Sequence, residues 1–434
     1  MRRQPLSELE IVIEPEVVPS VAVAAGSSSR LFSNGAAMAA ANLAGRGLGY
    51  ISIILMARKL SAPYIGVYAL LYTTSMLVEL VANLGLDKLL MREIAGGSHQ
   101  AGKGFFWAAL PIRLTMAALS AFVAWILLSV FFKHQLLVTP LVVALFLSLI
   151  FPIVITRNCE SFLTAHERLV PIAISQLGER VVMFAAVLLL ITNHLTFGGM
   201  LCIAPLAAIV RLGIVALSTK RLWIPNLVAE SPRLGRLIRQ SLELFLVDVL
   251  ALIYFRSDVF IMAKVRGLGD TGVYQIAYKI FDLCLSLFSG FLQAAFPLMV
   301  RNRSRQWLMK NLLVGSGLLM IPVAIIIACR HLILGVFKHQ YETGSTALIW
   351  LMLTVPLVYI NSTLANKVVV AGRVRMLGFL ASLLVALNIG LNIYLIPKWS
   401  MNGAAFVTFA CEMVSIVSLV PWVIRILQRE KATS

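Results

Sequence analysis

Of the 434 residues, 60% are hydrophobic and 13% are charged, and the mean hydropathy is +0.90. A soluble chain of this size could not hide that much apolar surface, so the bilayer is its main solvent. The net charge of +18 would suggest nucleic acid in a soluble protein. Here the basic residues sit mostly between apolar runs, which points to membrane topology and anionic lipid headgroups instead.

Residues 1–32 are expected to form a disordered cytoplasmic tail. Glu8, Glu10, Glu14 and Glu16 stand where a signal peptide needs its apolar core, and Pro15 and Pro19 interrupt it. At ~20 residues per crossing, the apolar runs that follow make about twelve helices. The first six, at 33–57, 64–87, 104–132, 136–156, 169–192 and 198–218, make an N-terminal lobe over 33–218. A basic cytoplasmic connector over 219–239 follows. The second six, at 240–263, 271–299, 307–329, 344–369, 375–396 and 402–427, make a C-terminal lobe over 240–427, ahead of a cytoplasmic tail at 428–434. The expected fold is therefore an all-α polytopic membrane protein of two six-helix bundles. Loops on the N-terminal side, tails included, carry roughly 22 Lys and Arg against roughly 8 on the other side, which places both termini in the cytoplasm.

The halves also repeat. Gly66-Val67-Tyr68 and Tyr72 recur as Gly272-Val273-Tyr274 and Tyr278, at a constant offset of 206 (272 − 66, and 278 − 72). Six crossings per half makes the repeats parallel, as in transporters whose lobes rock about a central site. Chance similarity between apolar segments is the alternative. No loop exceeds roughly 20 residues, so there is no room for an extramembrane catalytic domain beside ~20-residue crossings.

Arg46 lies near the middle of the run from Phe32 to Met56. A guanidinium there costs about 2.5–3.5 kcal/mol on insertion scales and is never neutralised at ordinary pH. At ~20 Å along its helix it is too deep to reach either headgroup layer easily. Asn42 and Tyr50, four residues to either side, share its face. A substrate-facing cation or a structural ion pair with a neighbouring helix are the two readings, and the first is preferred. Arg113 and Arg180 lie about a third of the way into their crossings, where snorkelling or local pairing competes evenly with substrate contact. Glu79, with Asn83 on the same face, could pair with Arg46 or serve as a proton or cation site. Arg256 and Asp258 point to different faces and suit the mouth of a cavity, with Asp248 on the same helix. Lys279 and Asp282 are i, i+3 neighbours that could simply pair with each other. Arg211, Lys367 and Glu412 lie close enough to helix ends to snorkel and are set aside.

Enzyme signals are weak. Gly45-Arg46-Gly47-Leu48-Gly49 superficially resembles a phosphate-binding glycine loop but sits inside a hydrophobic helix with no preceding strand. The six histidines form no HExxH pattern, and there is no GxSxG and no P-loop. The five cysteines make no CxxC or Cys/His cluster, so neither disulfide nor metal is expected. Transport would have to run on substrate supply or on an ion gradient, with no cofactor.

Several segments together resemble polysaccharide-biosynthesis flippases, of the superfamily that also contains multidrug and toxic compound extrusion transporters. The first lobe carries Ala57-Arg58-Lys59-Leu60, Tyr64-Ile65-Gly66-Val67-Tyr68, Leu84-Gly85-Leu86 and Arg92-Glu93-Ile94-Ala95. The second carries Asp258-Val259-Phe260-Ile261-Met262, Gly272-Val273-Tyr274, Ala277-Tyr278 and Phe296-Pro297, then Asn388 to Pro397, Gly403-Ala404-Ala405 and Glu412. Each motif is loose alone, but their order and spacing are fairly specific. The resemblance implies a V-shaped, alternating-access transporter. It implies as substrate an undecaprenyl-pyrophosphate-linked oligosaccharide, moved from the cytoplasmic to the outer leaflet of a bacterial inner membrane for surface polysaccharide synthesis, with a polysaccharide polymerase as a potential partner. The deep arginines fall in no fixed motif column, so their assignment rests on physics.

The two lines of reasoning agree, since guanidinium groups bind a pyrophosphate through bidentate hydrogen bonds. The expected substrate-binding residues are Arg46, Arg113, Arg180 and Arg256. Glu79, Asp248, Asp258, Lys279 and Asp282 are expected to balance charge or to couple transport to H⁺ or Na⁺. A cation-coupled multidrug or metabolite exporter is the alternative, but its cavity should be acidic or aromatic. A membrane polymerase or glycosyltransferase would need a large outer loop with catalytic residues, which the sequence lacks. A scaffold gives no reason for so many buried charges.

Overall fold

The computed structural model describes residues 28–433 apart from 97–98, 134, 221–233 and 302–303. Most of the expected N-terminal tail and connector lies outside the described residues. Among those described, the chain is helical throughout, with no strand. The N-terminal lobe holds α1 (Ser28–Lys59), α2 (Ala62–Asn83), α3 (Leu86–Gly96), α4 (His99–Phe131), α5 (Pro140–Leu147), α6 (Ile150–Ala165), α7 (Val170–Ile191) and α8 (Phe197–Ser218). The C-terminal lobe holds α9 (Leu234–Val265), α10 (Leu268–Arg301), α11 (Arg305–Ala328), α12 (Arg330–Phe337), α13 (Ser345–Val370) and α14 (Val374–Thr433).

Among the described residues, eight stretches qualify as membrane spans by length and hydropathy. One of these, Arg375–Glu430, runs 56 residues and is two crossings joined at Ser400, whose backbone (φ 49, ψ −131) is non-helical. Glu243, Asp248, Arg256 and Asp258 keep α9 out of that apolar class, and the side chains of α1 and α10 are described only in part. Three elements differ from expectation, one of them α12, which fills the expected loop between 329 and 344. The fourth crossing is α5 and α6 together and reaches Ala165, nine residues past the expected end at 156 (165 − 156). And α3 is an extra helix, amphipathic in the pattern of its side chains. Leu86, Leu89, Leu90 and Ile94 are buried on one face, a spacing that suits an amphipathic helix. Leu84 (φ 48) and Gly85 (φ 71) are both left-handed, and together they end α2 and turn the chain into α3.

Local chemistry starts several helices. Pro63 opens α2, where a missing N–H is harmless. Thr139, Thr196 and Ser304 accept from the backbone N–H of Val142 (3.4 Å), Gly199 (3.1 Å) and Trp307 (3.2 Å) at the starts of α5, α8 and α11.

Within the first lobe α1 packs on α7, α7 on α8, and α2 and α6 on α4; within the second, α13 packs on α10, α11 and α14, and α14 on α9. The lobes meet chiefly where α2 crosses α10. We call the side on which α1 begins the near face and the side on which it ends the far face. At the far face Arg58 Nε donates to the Val336 carbonyl (2.7 Å) and Lys264 Nζ to the Phe131 carbonyl (3.0 Å), each bond joining the two lobes. At the near face Lys88 of α3 pairs with Asp248 of α9 at 3.0 Å.

Candidate functional site

Between the lobes, halfway through the bundle, lies a cavity of about 460 Å³. Helices α1, α2, α6, α7, α8 and α10 all contribute side chains to its wall. Five cations line it, Arg46, Arg157, Arg180, Arg211 and Lys279, against the carboxylates Glu179 and Asp282. A second cavity of about 550 Å³, toward the near face, shares Arg157 and Asp282 with the first and adds Glu79, Asp248 and Arg256.

The cations differ in how far they are already neutralised. Arg157 binds Glu79 at 2.7 Å and lies 3.9 Å from Glu160. Arg211 binds Glu160 and Glu179, each at 2.8 Å. These five side chains from α2, α6, α7 and α8 form one alternating chain of charge. Arg46 is different: among the described residues it makes no ion pair, and it is exposed to the cavity. Arg180 lines the cavity beside Tyr72, and its neighbour Glu179 is committed to Arg211. Its stem packs where α1 has no side chain, 3.5 Å from the position a Cβ on Gly45 would take. Lys279 is only loosely held, 3.8 Å from Asp282, which also faces Arg256 at 3.3 Å. The cavity therefore presents Arg46, Arg180 and Lys279 as cations with spare donors, on the three helices α1, α7 and α10.

The structure gathers some of the expected site residues and separates others. Arg46, Arg180, Lys279 and Asp282 share the central cavity, and Arg256 and Asp282 line its near-face extension. Arg113 reaches neither cavity. It is 0% exposed and pairs with Asp87 at 2.8 Å, inside the first lobe. Glu79 pairs with Arg157, not with Arg46. Asp258 does not stand at a cavity mouth: it is 5% exposed and accepts hydrogen bonds from the Tyr274 hydroxyl and the Val259 N–H. Asp248 lines the near-face cavity and holds Lys88. Asn42 falls among residues whose side chains are not described.

Arg157 was not singled out from sequence, and Arg211 was set aside as a snorkelling residue; both line the cavity. Lys367 and Glu412, also set aside, are buried. Lys367 pairs with Glu430 at 2.8 Å, and Glu412 accepts from Tyr254 (3.0 Å) and Asn361 (2.7 Å). The signal for Arg157 was available, since Glu160 stands three residues on and Asn158 beside it, inside an apolar run. Among the described residues no group of His, Cys, Asp and Glu could hold a metal ion.

Comparison with solved structures places this arrangement. The chain has the fold of the lipid II flippase MurJ in an inward closed conformation, with a TM-score of 0.76 at 14% identity over 89% of this chain and 87% of that one. It is also similar to an inward-facing multidrug resistance MATE transporter of the MOP superfamily (TM-score 0.70, 14% identity, 89% and 96% covered). A third likeness is to a MOP superfamily transporter from Pyrococcus furiosus whose binding pocket is described as of reverse polarity (TM-score 0.54, 14% identity, 91% and 94% covered). No curated protein is significantly similar in sequence. The polysaccharide biosynthesis protein family matches residues 31–303, well over half of the sequence, and the chain belongs to that family.

Proposed function

We propose that this protein is a flippase that moves an undecaprenyl-pyrophosphate-linked oligosaccharide from the cytoplasmic to the outer leaflet of a bacterial inner membrane. The observation that carries the reading is Arg46, a guanidinium with no ion pair among the described residues, facing a mostly cationic cavity in the middle of the bundle. Exposing an unpaired charge there is unfavourable unless water or an anionic ligand meets it. Arg46, Arg180 and Lys279 converge from three helices, which suits the several oxygens of a pyrophosphate, and each Arg can grip two of them at once. The glycan occupies the wet cavity while the prenyl tail stays in lipid between the lobes.

Both termini are placed in the cytoplasm by the excess of Lys and Arg on the near face. The near-face cavity then admits the headgroup, and delivery at the far face presents it to a polysaccharide polymerase. Arg157 and Arg211, each locked between two carboxylates, hold the cavity floor in shape. Asp258, buried in the second lobe beside α10, is the best placed of the expected carboxylates to couple rocking to H⁺ or Na⁺, because its occupancy would alter packing where the lobes meet.

A cation-coupled drug exporter of the same fold is the second reading. The buried Asp258 and Glu412 favour it; the five cations around the central cavity oppose it for any cationic drug. The test is export. Arg46→Ala should abolish surface glycan while the protein stays in the membrane at normal abundance, and Arg46→Lys should partly restore it. Normal surface glycan in the Ala variant overturns the assignment.

A further inference from the structure

The two lobes carry the same tyrosine pair and use it differently. Tyr68 and Tyr72 on α2 correspond to Tyr274 and Tyr278 on α10 at the repeat offset of 206 (274 − 68). In the second lobe both rings are buried: Tyr274 is 0% exposed and Tyr278, in the wall of the near-face cavity, 2%, with hydroxyls on Asp258 and on the Phe255 carbonyl (3.2 Å). In the first lobe the pair faces the central cavity, Tyr72 is 37% exposed, and the rings lie nearly parallel, 13° apart with centroids 6.1 Å from each other. Tyr50 of α1 lines the same cavity.

Packing explains the buried pair and does not explain the open one. Aromatic rings left facing a hydrated, charged space lose the benefit of burial that usually holds them. A ligand with an apolar face and a polar rim would restore it. Cationic and neutral ligands are separated by what surrounds the rings. Arg180 stands in the same wall, and Lys279 Nζ already lies 5.7 Å from the centre of the Tyr72 ring. A cationic ligand would therefore meet like charge where its cation–π contact should form. A pyranose ring meets none. Its C–H face covers the tyrosine, and its hydroxyls reach Gln176 and Glu179 in the same wall.

We infer that Tyr68 and Tyr72 form a carbohydrate-stacking subsite for the first sugars of the substrate, next to the anion-binding cations Arg46 and Arg180. This rests on the flippase reading. It divides the headgroup between two parts of one cavity, diphosphate on the cations and sugar on the α2 tyrosines. The second lobe's copy of the pair is the internal comparison: Tyr274 is packed and bonded away from both cavities, and Tyr278, in the wall of the near-face cavity, is still only 2% exposed with its hydroxyl bonded.

The test is binding to the full chain in nanodiscs, using undecaprenyl diphosphate and undecaprenyl diphosphate bearing N-acetylglucosamine as probes. Tyr72→Ala should weaken the sugar-bearing probe about tenfold, as expected for losing roughly 1.4 kcal/mol of ring contact, and leave the bare diphosphate bound. Tyr72→Phe, which keeps the ring and loses only the hydroxyl, should restore most of the difference. Tyr72→Leu should behave like Ala and serves if the Ala variant is unstable. Equal weakening of both probes, or no weakening of either, overturns the subsite. Failure of the unmodified protein to bind either probe overturns the flippase reading itself, and binding of both probes lost in Arg46→Ala but not in Tyr72→Ala separates the two parts.

Discussion

Gly66 and Gly272, equivalent residues of the two repeats, face each other across the seam between the lobes. A Cβ on Gly66 would lie 2.0 Å from the Leu268 carbonyl oxygen, and one on Gly272 would lie 1.9 Å from that of Ala62. Leu268 and Ala62 are separated by the same offset of 206 (268 − 62), so each lobe makes the contact it receives. Arg58 and Lys264 repeat the pattern (264 − 58), each donating to a carbonyl of the opposite lobe. The internal repeat is thus written into the far-face seam as a pseudo-two-fold contact.

Because backbone oxygens and not flexible side chains oppose these glycines, a larger residue must part the helices. Gly66→Val and Gly272→Val should each open the far-face seam, with overpacking of about 1–3 kcal/mol. The check is labelling of a Tyr50→Cys probe by a membrane-impermeant thiol reagent from the far face, in a background without the native cysteines. Faster labelling with lowered transport is expected; unchanged labelling would show that the seam does not gate that side.

The near face is tied more lightly. Lys88 and Asp248 bond at 3.0 Å but remain 55% and 34% exposed, so the pair contributes roughly 0.2–1 kcal/mol and weakens with salt. Asp248→Lys alone should impair transport, and the swap Lys88→Asp with Asp248→Lys should restore it. Recovery in the swapped variant identifies Asp248 as part of a latch. A swap as inactive as the single change would instead return it to ion coupling.

Arg113 should matter for stability and not for transport chemistry. It is wholly buried against Asp87, which also accepts from Asn83 (2.9 Å) and Ser161 (3.2 Å), while Arg113 Nε and Nη1 have no partner among the described residues. Removing one member of such a pair costs about 3–5 kcal/mol because the other charge is stranded. Arg113→Ala should therefore lower the melting temperature sharply, and Arg113→Met with Asp87→Asn should recover much of the loss. Thermal unfolding in detergent, followed by transport in the double variant, measures both. A double variant that is stable yet unable to transport would put Arg113 in the mechanism.

What sequence alone determined here follows from quantities local to a segment. The length and hydropathy of each apolar run set the crossings, since every backbone polar group in lipid must be satisfied within its own helix. The offset of 206 announced paired lobes, and the depth of Arg46 in its run announced a charge with nowhere to snorkel. Tertiary structure alone decided who meets whom. Arg157 and Arg211 became cavity walls, Arg113 a core ion pair and Asp258 a buried acceptor only when α2, α6, α7, α8 and α10 came together. A helix's own periodicity gives the face on which a charge lies, but the partner across that face comes from another helix, chosen by packing over the whole bundle. That is why Tyr72 and Tyr278, alike in sequence context, ended one open to the central cavity and the other buried.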